Sequence, residues 1–300
     1  MTIFHERWWL DAVAPGRWRE ATVVVDGELR ARWPYLPVSG PLRLRRLVMP
    51  PLTPRLGPAM TTRETRLSRQ LEEQKRMLLE LAEQLPPHDQ LVQSFHPSNT
   101  YWLPLAWRGF TQTTLYSYTL ESLEDLDSVF ASFSKGLRSD IRKAARRLEV
   151  DPRGRASEMY ELTTFSLARS GKKAPFSLDV LERVHAEVVR RGCGILLVAR
   201  DPAGLAQAGA LVVWDETSAY YLLGGVRPEA RQSGAASLLL WEALRHVAGR
   251  TRMFDFEGSR IESIETYFRS FGGRPVPYSR VEHTGRALGL ATALRGALTR

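Results

Sequence analysis

The most constraining feature of this sequence is residues 254–258, where Phe, Asp, Phe and Glu are followed by glycine. Side chains of a strand alternate between its two faces, so we expect Asp255 and Glu257 on one face. Phe254 and Phe256 should then lie on the other face. The glycine and the helical pattern that follows it predict a chain reversal. Two acids would therefore stand at the C-terminal edge of a strand, where open α/β sheets bind ligands.

The rest of the chain supplies the elements of such a sheet. The first half is predicted to hold short strands within residues 1–60 and a long helix over residues 61–85, whose leucines keep a helical spacing. The second half is predicted to contain strands within 194–226, a helix at 235–248, a strand at 252–256, a helix at 261–271 and a strand at 276–281. This order predicts an α/β fold with a mixed sheet.

Charge and length narrow the possible partners. The chain has 300 residues, enough for two ordinary domains, and 42 Lys and Arg against 33 Asp and Glu give a net charge of +9. Such a surface attracts phosphates, nucleic acid or anionic lipid, although an arginine-rich composition would by itself produce the same charge. No apolar run approaches the ~20 residues of a membrane helix. With no secretory signal evident, we expect a cytoplasmic location and no transmembrane segment.

Metal and thiol chemistry are not expected. The six histidines are scattered without ligand spacing, so the sequence predicts no metal site. The single cysteine, Cys193, lies between two glycines and is predicted to be a buried small residue rather than a nucleophile.

Residues 128–148 are predicted to form one amphipathic helix. Its cationic row consists of Lys135, Arg138, Arg142 and Arg146, opposite a row of apolar residues. The sequence leaves open whether this row is an ordinary solvated surface or faces phosphate groups.

Several segments taken together resemble the FemAB-like branch of the GNAT acyltransferase superfamily. Residues 231–236, Arg-Gln-Ser-Gly-Ala-Ala, fit the superfamily's loose pyrophosphate pattern. Further matching segments are Tyr-Tyr-Leu-Leu-Gly-Gly at 220–225, the acidic segment at 254–259 and Phe-Arg-Ser-Phe-Gly-Gly at 268–273. The resemblance covers most of the chain. It implies two GNAT-like subdomains packed side by side, residues 1–122 and 123–284, the second of them catalytic. The Ala and Leu content of residues 285–300 predicts a C-terminal helix docked on the body.

The resemblance also implies a reaction. The chain would be an N-acyltransferase that forms an amide on an amine acceptor, such as a peptide or a cell-wall precursor. The favoured donor is aminoacyl-tRNA, and acyl-CoA is the alternative on the same fold. No permanently bound cofactor and no DNA partner are expected. A third alternative is a non-catalytic protein that binds RNA or a phosphorylated ligand through its basic face.

Amide formation needs a group that accepts the amine's proton and a group that stabilises the oxyanion. Glu257 or Asp255 is the predicted base, and Arg269, one helix beyond, is the predicted partner of the oxyanion. The branch often has lysine where Arg269 follows Phe268, so a relay of protons through this residue is not expected. Structural alternatives stay open: Asp255 as a helix cap or as the partner of an arginine, and Arg269 as a surface ion pair with Glu265 at i−4.

The remaining candidates would bind substrate. Arg227, Arg231 and the backbone of Gly234 precede a predicted helix N-terminus, which is a favourable seat for the phosphates of CoA or tRNA. Tyr221 is predicted to pack in the core or face an acyl pocket. The full substrate-binding set is Tyr221, Arg227, Arg231, Gly234, Arg260 and Phe268.

Overall fold

The computed structural model describes residues 1–168 and 171–285, without the side chain of Leu42. The helices of these residues are α1 Arg7–Val13, α2 Leu67–Glu83, α3 Leu103–Ala106, α4 Leu126–Ser132, α5 Lys135–Ala145, α6 Ala156–Ala168, α7 Leu178–Arg191, α8 Ala235–Val247 and α9 Glu262–Arg269. The strands are β1 Arg19–Val25, β2 Glu28–Ser39, β3 Arg45–Val48, β4 Ala59–Met60, β5 Gln90–Ser94, β6 Phe110–Leu120, β7 Glu149–Asp151, β8 Gly194–Arg200, β9 Ala206–Trp214, β10 Ser218–Val226, β11 Met253–Asp255 and β12 Arg274–Thr284. Parallel and antiparallel pairs both occur, which confirms the predicted α/β class with a mixed sheet.

The chain divides into two compact units. One comprises residues 1–115 and the segment that begins at Pro277, and the other comprises residues 116–276. Sequence analysis places the boundary at residue 122 and assigns 277–284 to the second subdomain. In the structure β12 pairs with β5, from Arg280 opposite Ser94 onward, which places this segment in the first unit. The helix expected at 285–300 lies beyond the described residues, except for Gly285.

In the first unit the strands follow the order β1-β2-β3-β5-β12, and β4 pairs with β2. Helix α2 buries Met77, Leu78 and Leu81 against this sheet. The helix was expected over residues 61–85 but begins at Leu67, because the Thr61 N–H donates to the carbonyl of Arg30 and prolongs the pairing of β4 with β2.

Helix α1 is absent from the sequence prediction, which assigned residues 1–60 to strands. Trp9 and Leu10 of this helix are completely buried, and the Trp9 indole N–H donates to the Thr53 hydroxyl at 3.1 Å. The helix has only seven residues, so a periodic pattern had too few turns to reveal it.

In the second unit the strands follow the order β6-β11-β10-β9-β8-β7. The pairs β7–β8, β8–β9 and β9–β10 are antiparallel, and α8 connects β10 to the parallel strand β11. Helices cover both faces of the sheet: Ala210 and Val212 of β9 share a core with α5 and α8. On the other face, a Cβ at Gly209 would lie 2.8 Å from Met159 Sδ of α6.

The single helix predicted over residues 128–148 is in fact two helices, α4 and α5. Between them, Phe133 is buried against Trp241 and Phe271. Ser134 has an extended backbone, and its hydroxyl accepts a hydrogen bond from the N–H of Leu137 at 3.3 Å. A serine that caps a new helix ends the preceding one, which helical spacing alone does not reveal.

Candidate functional site

The feature of the second unit best suited to a ligand is the open edge of β10. On one side β10 pairs with β9 over seven residue pairs. On the other side its parallel pairing with β11 stops after three pairs, at Tyr220 and Asp255. A register shift between Tyr221 and Leu223 marks an irregularity in β10 just beyond this point. Within the described residues no strand pairs with the rest of β10 on this side, so an extended ligand can take a strand's place.

Helix α6 limits the far end of this edge. The N–H of Val226 donates to Ser166 Oγ at 2.9 Å. A Cβ at Gly225 would lie 2.4 Å from the carbonyl carbon of Leu162, so the helix backbone passes directly over the strand. The stretch of β10 left for a ligand therefore runs from Tyr221 to Gly224, and below it is called the open edge.

The N-terminus of α8 begins at a glycine. Gly234 adopts a left-handed φ of 77° and offers no side chain to cap the helix, whereas serine hydroxyls cap α5 and α7. The Ser233 hydroxyl accepts a hydrogen bond from the N–H of Ala235 at 3.2 Å. A Cβ at residue 234 would lie 2.7 Å from the carbonyl oxygen of Asp140. Glycine thus permits both the turn and the close approach to α5, and the positive end of α8 is suited to an anion.

Tyr221 lies at the beginning of the open edge. Its ring contacts Phe268 edge to face, with the two centroids 6.1 Å apart. Its hydroxyl occupies the space beside Gly224, because a Cβ there would lie 1.7 Å from Tyr221 Oη. Burial raises the pKa of Tyr221, so its hydroxyl keeps its proton at neutral pH.

Tyr267 and Ser237 form a second pair of hydroxyls in this unit. Tyr267 Oη of α9 lies 3.2 Å from Ser237 Oγ in the first turn of α8. Burial raises the pKa of Tyr267, with a further contribution from Tyr221. Sequence analysis missed both residues. Tyr267 stands next to Phe268 in a predicted helix, but helical spacing does not show that its hydroxyl meets α8.

The two candidate acids differ in their surroundings. Asp255 ends β11 and is only 4% exposed. Its carboxylate accepts hydrogen bonds from the Ser117 hydroxyl and from the N–H of Glu257, the latter at 2.8 Å. Because this second bond turns the chain, the acids do not share a strand face, which corrects the sequence prediction. Phe254 and Phe256 are both completely buried and in contact, as predicted.

Glu257 stands in an unusual backbone conformation. Its φ is 67°, in the left-handed region that residues other than glycine rarely adopt, and Gly258 follows with the same φ. A Cβ at Gly258 would lie 2.2 Å from the carbonyl oxygen of Tyr116. Burial, and then the negative charges of neighbouring carboxylates that include Glu257, raise the pKa of Tyr220 in β10. Glu257 therefore stands on a strained turn directly after β11, the strand that pairs with β10, and such conformations cluster at functional sites.

Arg269 makes the ion pair that the sequence left open as an alternative. Its Nε donates to Glu265 Oε1 at 3.1 Å, and its side chain is 63% exposed. The same carboxylate oxygen accepts a hydrogen bond from the Tyr118 hydroxyl at 2.6 Å. That bond is the main cause of the raised pKa of Tyr118 and of the lowered pKa of Glu265. The ion pair that the structure gives Arg269 is therefore with Glu265.

The other predicted arginines are placed differently from one another. Arg227 donates from Nε to the carbonyl of Ala206 at 3.1 Å, and its guanidinium lies 5.1 Å from the ring centre of Phe165. It is therefore held against β9 and α6 rather than directed at the loop before α8. Arg231 and Arg260 are exposed.

Phe268, the last predicted substrate-binding residue, is buried. Its ring stacks on Phe256 at 5.5 Å and also meets Tyr221. The structure thus brings Tyr221, Phe268 and the N-terminal turn of α8 into one neighbourhood, linked through Tyr267 and Ser237.

A pocket of about 450 Å³ lies beside the C-terminal half of α8, where Glu242 and Arg245 pair with each other. Its lining residues include none with a left-handed backbone. Residues 1–168 and 171–285 contain no cluster of metal-binding side chains. None of their helices has both the length and the apolar character to cross a membrane.

Comparison with known proteins agrees with this geometry. Residues 131–269 match the family described as "Acetyltransferase (GNAT) domain". The matched region contains β10, α8, β11 and α9, and therefore the whole open edge. No curated protein sequence matches the chain significantly.

Solved structures share the fold over nearly the whole chain. FemX has 14% identity and a TM-score of 0.65, over 92% of this chain and 91% of FemX. L-PGS from Bacillus licheniformis has 15% identity and a TM-score of 0.57, over 97% and 91%. A tandem GNAT protein from the clavulanic acid biosynthesis pathway has 14% identity and a TM-score of 0.52, over 91% and 85%. At these identities the likeness is one of fold.

Proposed function

The chain belongs to the GNAT acyltransferases through its domain at residues 131–269, and from this premise we propose that it transfers an aminoacyl group from aminoacyl-tRNA to an amine. The observation that carries the proposal is the open edge of β10 in the same unit as the glycine-capped N-terminus of α8. The fold shared with FemX supports the FemAB-like branch. The acceptor we propose is a primary amine of a peptide or a cell-wall precursor.

The donor would bind with its phosphate at the N-terminus of α8 and its acyl group along the open edge. First-turn N–H groups and the helix dipole attract a phosphate there, and the exposed Arg231 adds a positive charge. The acyl chain would lie between Tyr221 and the buried ring of Phe268. Arg227 would act indirectly, by holding the loop that leads to α8.

The chemistry would proceed by attack of a neutral amine on the ester carbonyl. A C–N bond forms, and the C–O bond to the terminal ribose of the tRNA breaks. Glu257 would take the proton from the attacking nitrogen, and Tyr267 would give its proton to the leaving ribose oxygen. The Tyr221 hydroxyl would donate a hydrogen bond to the oxyanion, a kind of contact worth about 3–4 kcal/mol in the barrier.

The remaining candidates would have supporting roles. Asp255 would position Glu257 through the hydrogen bond to its N–H. Arg269 and Arg260 would lie at the exposed rim and attract an anionic substrate, because the guanidinium of Arg269 is already held by Glu265. This replaces the direct oxyanion role expected for Arg269 from the sequence.

A second candidate function is transfer from acyl-CoA. The same helix N-terminus suits a pyrophosphate, and the loop at 231–236 fits the superfamily's pattern for one. The chemistry would be identical except that sulfur is the leaving atom. A purely binding role is less favoured, because the strained backbone of Glu257 has no evident purpose in it.

A transfer assay with two donors tests the proposal. The purified protein is incubated with a lysine-containing peptide and either bulk tRNA charged with labelled amino acids or labelled acetyl-CoA. We expect label to reach the peptide from charged tRNA only, and to stop doing so after the donor is treated with ribonuclease. Glu262→Gln, an exposed glutamate of α9, serves as the matched control for Glu257→Gln.

Label transferred from acetyl-CoA alone would replace the first function by the second. No transfer from either donor to a panel of amine-bearing peptides would favour the binding protein.

A further inference from the structure

Helix α5 and the turn after it carry a concentration of positive charge that the proposed chemistry does not use. Residues 135–147 contain six basic residues and one acidic residue, Asp140. The basic residues are Lys135, Arg138, Arg142, Lys143, Arg146 and Arg147. Within the described residues, none of the six forms an ion pair with a carboxylate. Below they are called the α5 cations.

Arginines elsewhere in the same unit are mostly paired. Arg190 and Arg191 share Glu187, and Arg245 pairs with Glu242. Arg200 pairs with Glu158 at 2.9 Å. A proteome rich in arginine would not by itself produce this contrast, because it would spread unpaired arginines over all the helices.

Helix stability does not account for the α5 cations either. Positive side chains stabilise the last turn of a helix, which explains Arg142 and Lys143. Lys135, however, is the first residue of α5, where the helix dipole opposes a positive charge, and the first turn contains no acid. The positive charge of Lys135 is therefore unfavourable at the N-terminus of α5 in the free protein. A bound anion would offset this charge.

The α5 cations lie next to the N-terminal turn of α8, where the phosphate of the donor is proposed to bind. The backbone of Gly234 packs against α5 at Asp140 and Ala144. At about 100° per residue, Lys143 comes next around the helix from this contact, followed by Lys135, Arg138 and Arg142. Arg146 and Arg147 stand in the turn that ends α5. The basic surface is therefore continuous with the N-terminal turn of α8 and covers about half of the helix circumference.

The dimensions favour a long phosphate backbone over a single small ligand. From Lys135 to Arg146 the row is about 16 Å long, at about 1.5 Å per residue. Neighbouring cations in it stand about 5–6 Å apart. The pyrophosphate of a CoA would fill the seat at α8 and leave most of this row unused. Arg142 is also held in place over the Phe130 ring at 5.4 Å, which reduces the entropy lost on binding.

A membrane surface is the less suitable polyanion. An interfacial helix inserts its apolar side into lipid, but the apolar side of α5 is already used in the protein core. Leu137, Ile141 and Ala144 are 7%, 3% and 0% exposed. Only charge is left for an external partner, and a charged row without apolar anchors is typical of binding to a nucleic acid backbone.

We propose that the α5 cations bind the phosphate backbone of an RNA, and that they hold the body of the donor while its acylated end reaches the open edge. This inference rests on the proposed function for the identity of the donor. Most of the donor's affinity would come from this surface, which is separate from the reacting groups.

The test compares two triple variants of equal charge loss. R138A/R142A/R146A removes three of the α5 cations, and R183A/R190A/R191A removes three arginines of α7. Binding of fluorescent bulk tRNA is measured by anisotropy between 50 and 300 mM salt, with circular dichroism and thermal unfolding as folding controls. Arg146→Glu alone, at an exposed position, serves if the α5 triple variant is unstable.

We expect the α5 triple variant to bind tRNA at least about tenfold more weakly than wild type at 0.15 M salt. The slope of its plot of log affinity against log salt concentration should be less negative by about 2–3. The α7 triple variant should stay within about twofold of wild type. R138K/R142K/R146K should recover most of the affinity, because binding to a phosphate backbone depends mainly on charge.

Three results would overturn the inference. The first is no tRNA binding by the wild-type protein, and the second is an equal loss of affinity in the two alanine triple variants. The third is a loss of binding to phosphatidylglycerol vesicles in the α5 triple variant with tRNA binding unchanged, which would assign the surface to a membrane.

Failure of this inference is distinguishable from failure of the proposed function. Glu257→Gln should bind tRNA like wild type while losing transfer. If charged tRNA donates and the α5 triple variant keeps the wild-type KM, the function stands and the inference fails. If only acetyl-CoA donates, the donor assignment fails, and the tRNA binding data still decide whether α5 binds RNA.

Discussion

The sheet of the second unit contains two pairs of strands that differ in how far they are hydrogen-bonded. One pair is β8 and β9, and the other is β10 and β11. β8 and β9 pair over seven residue pairs, and the end of β8 is held by Arg200, which binds both Glu158 and Asp151. In contrast, β10 and β11 pair over only three residue pairs. Near their divergence lie an irregularity in β10, a left-handed glutamate and a helix capped by glycine.

The difference indicates where stability and function are separated. In the paired region, hydrogen bonds and ion pairs are satisfied within the unit, so substitutions there should change unfolding. In the open region the backbone keeps a left-handed conformation at Glu257, which is costly in the free protein. Substitutions there should change transfer, and the following predictions test this separation in order of their effect on turnover.

Glu257→Gln should have the largest effect. It removes the proposed base while keeping the size of the side chain, so we expect kcat to fall about 10³-fold with little change in unfolding. The rate is measured at saturating donor, beside Glu262→Gln. A wild-type kcat in Glu257→Gln would remove this residue from the chemistry.

Gly224→Ala should have the second-largest effect on turnover. A Cβ at residue 224 would displace the Tyr221 hydroxyl from the open edge, and a misplacement of about 1 Å can lower turnover about 10²-fold. Gly209→Ala in β9 is the control from the paired region, where the added methyl meets the flexible Met159 side chain. Turnover is compared with the melting temperature for each variant. The comparison fails if Gly209→Ala loses more turnover than Gly224→Ala.

Tyr267→Phe should lower kcat about tenfold by removing the proposed acid. Because burial raises the pKa of Tyr267, the hydroxyl stays protonated well above neutral pH. The ratio of wild-type to variant kcat should therefore be constant from pH 7 to about pH 9.5, measured as a pH–rate profile. A ratio near 1 at every pH would show that Tyr267 is not the acid, and a ratio that falls toward 1 below pH 9 would contradict the raised pKa.

Arg269→Ala should raise the donor KM about threefold and leave kcat nearly unchanged. Its guanidinium is exposed and bound to Glu265, and exposed ion pairs contribute little. Steady-state kinetics at low and at 0.3 M salt should show the difference shrinking as salt screens the charge. A tenfold loss of kcat would restore the oxyanion role that the sequence suggested.

Glu158→Gln should leave turnover unchanged and lower stability, by about 2 kcal/mol at pH 7. The hydrogen bond from Arg200 is the main cause that lowers the pKa of Glu158 to about 2. A depressed pKa contributes stability that is fully present above about pH 4.5 and is lost as pH falls toward 2. Urea unfolding at pH 7 and near pH 2.5 measures this, with the exposed Glu182→Gln as control. Equal losses at both pH values would contradict the ion-pair explanation.

Much of the candidate site could be predicted from sequence where the pattern is local. Alternation placed Phe254 and Phe256 together in the core. The i to i+4 spacing of Glu265 and Arg269 identified their ion pair as an alternative before the structure showed it. The cationic row of residues 135–146 was equally readable, because helical spacing needs only neighbouring residues.

The features of the site that the sequence did not predict all depend on contacts between distant segments. The hydroxyl pair of Ser237 and Tyr267 joins two helices, and no spacing in the sequence relates them. The turn at Glu257 depends on the carboxylate of Asp255, which itself binds Ser117 from a strand far away in the chain. A strand pattern continued through Glu257 could not reveal that turn.

By itself the sequence determined the α/β class, most strands and helices of the second unit, and the resemblance to GNAT acyltransferases, because these depend on local periodicity and short motifs. The tertiary structure alone decided that β10 is paired on one side and open on the other, and that α8 begins against α5. Pairing along a strand edge depends on which distant segments reach it, and every strand pattern is compatible with both a paired and an open edge.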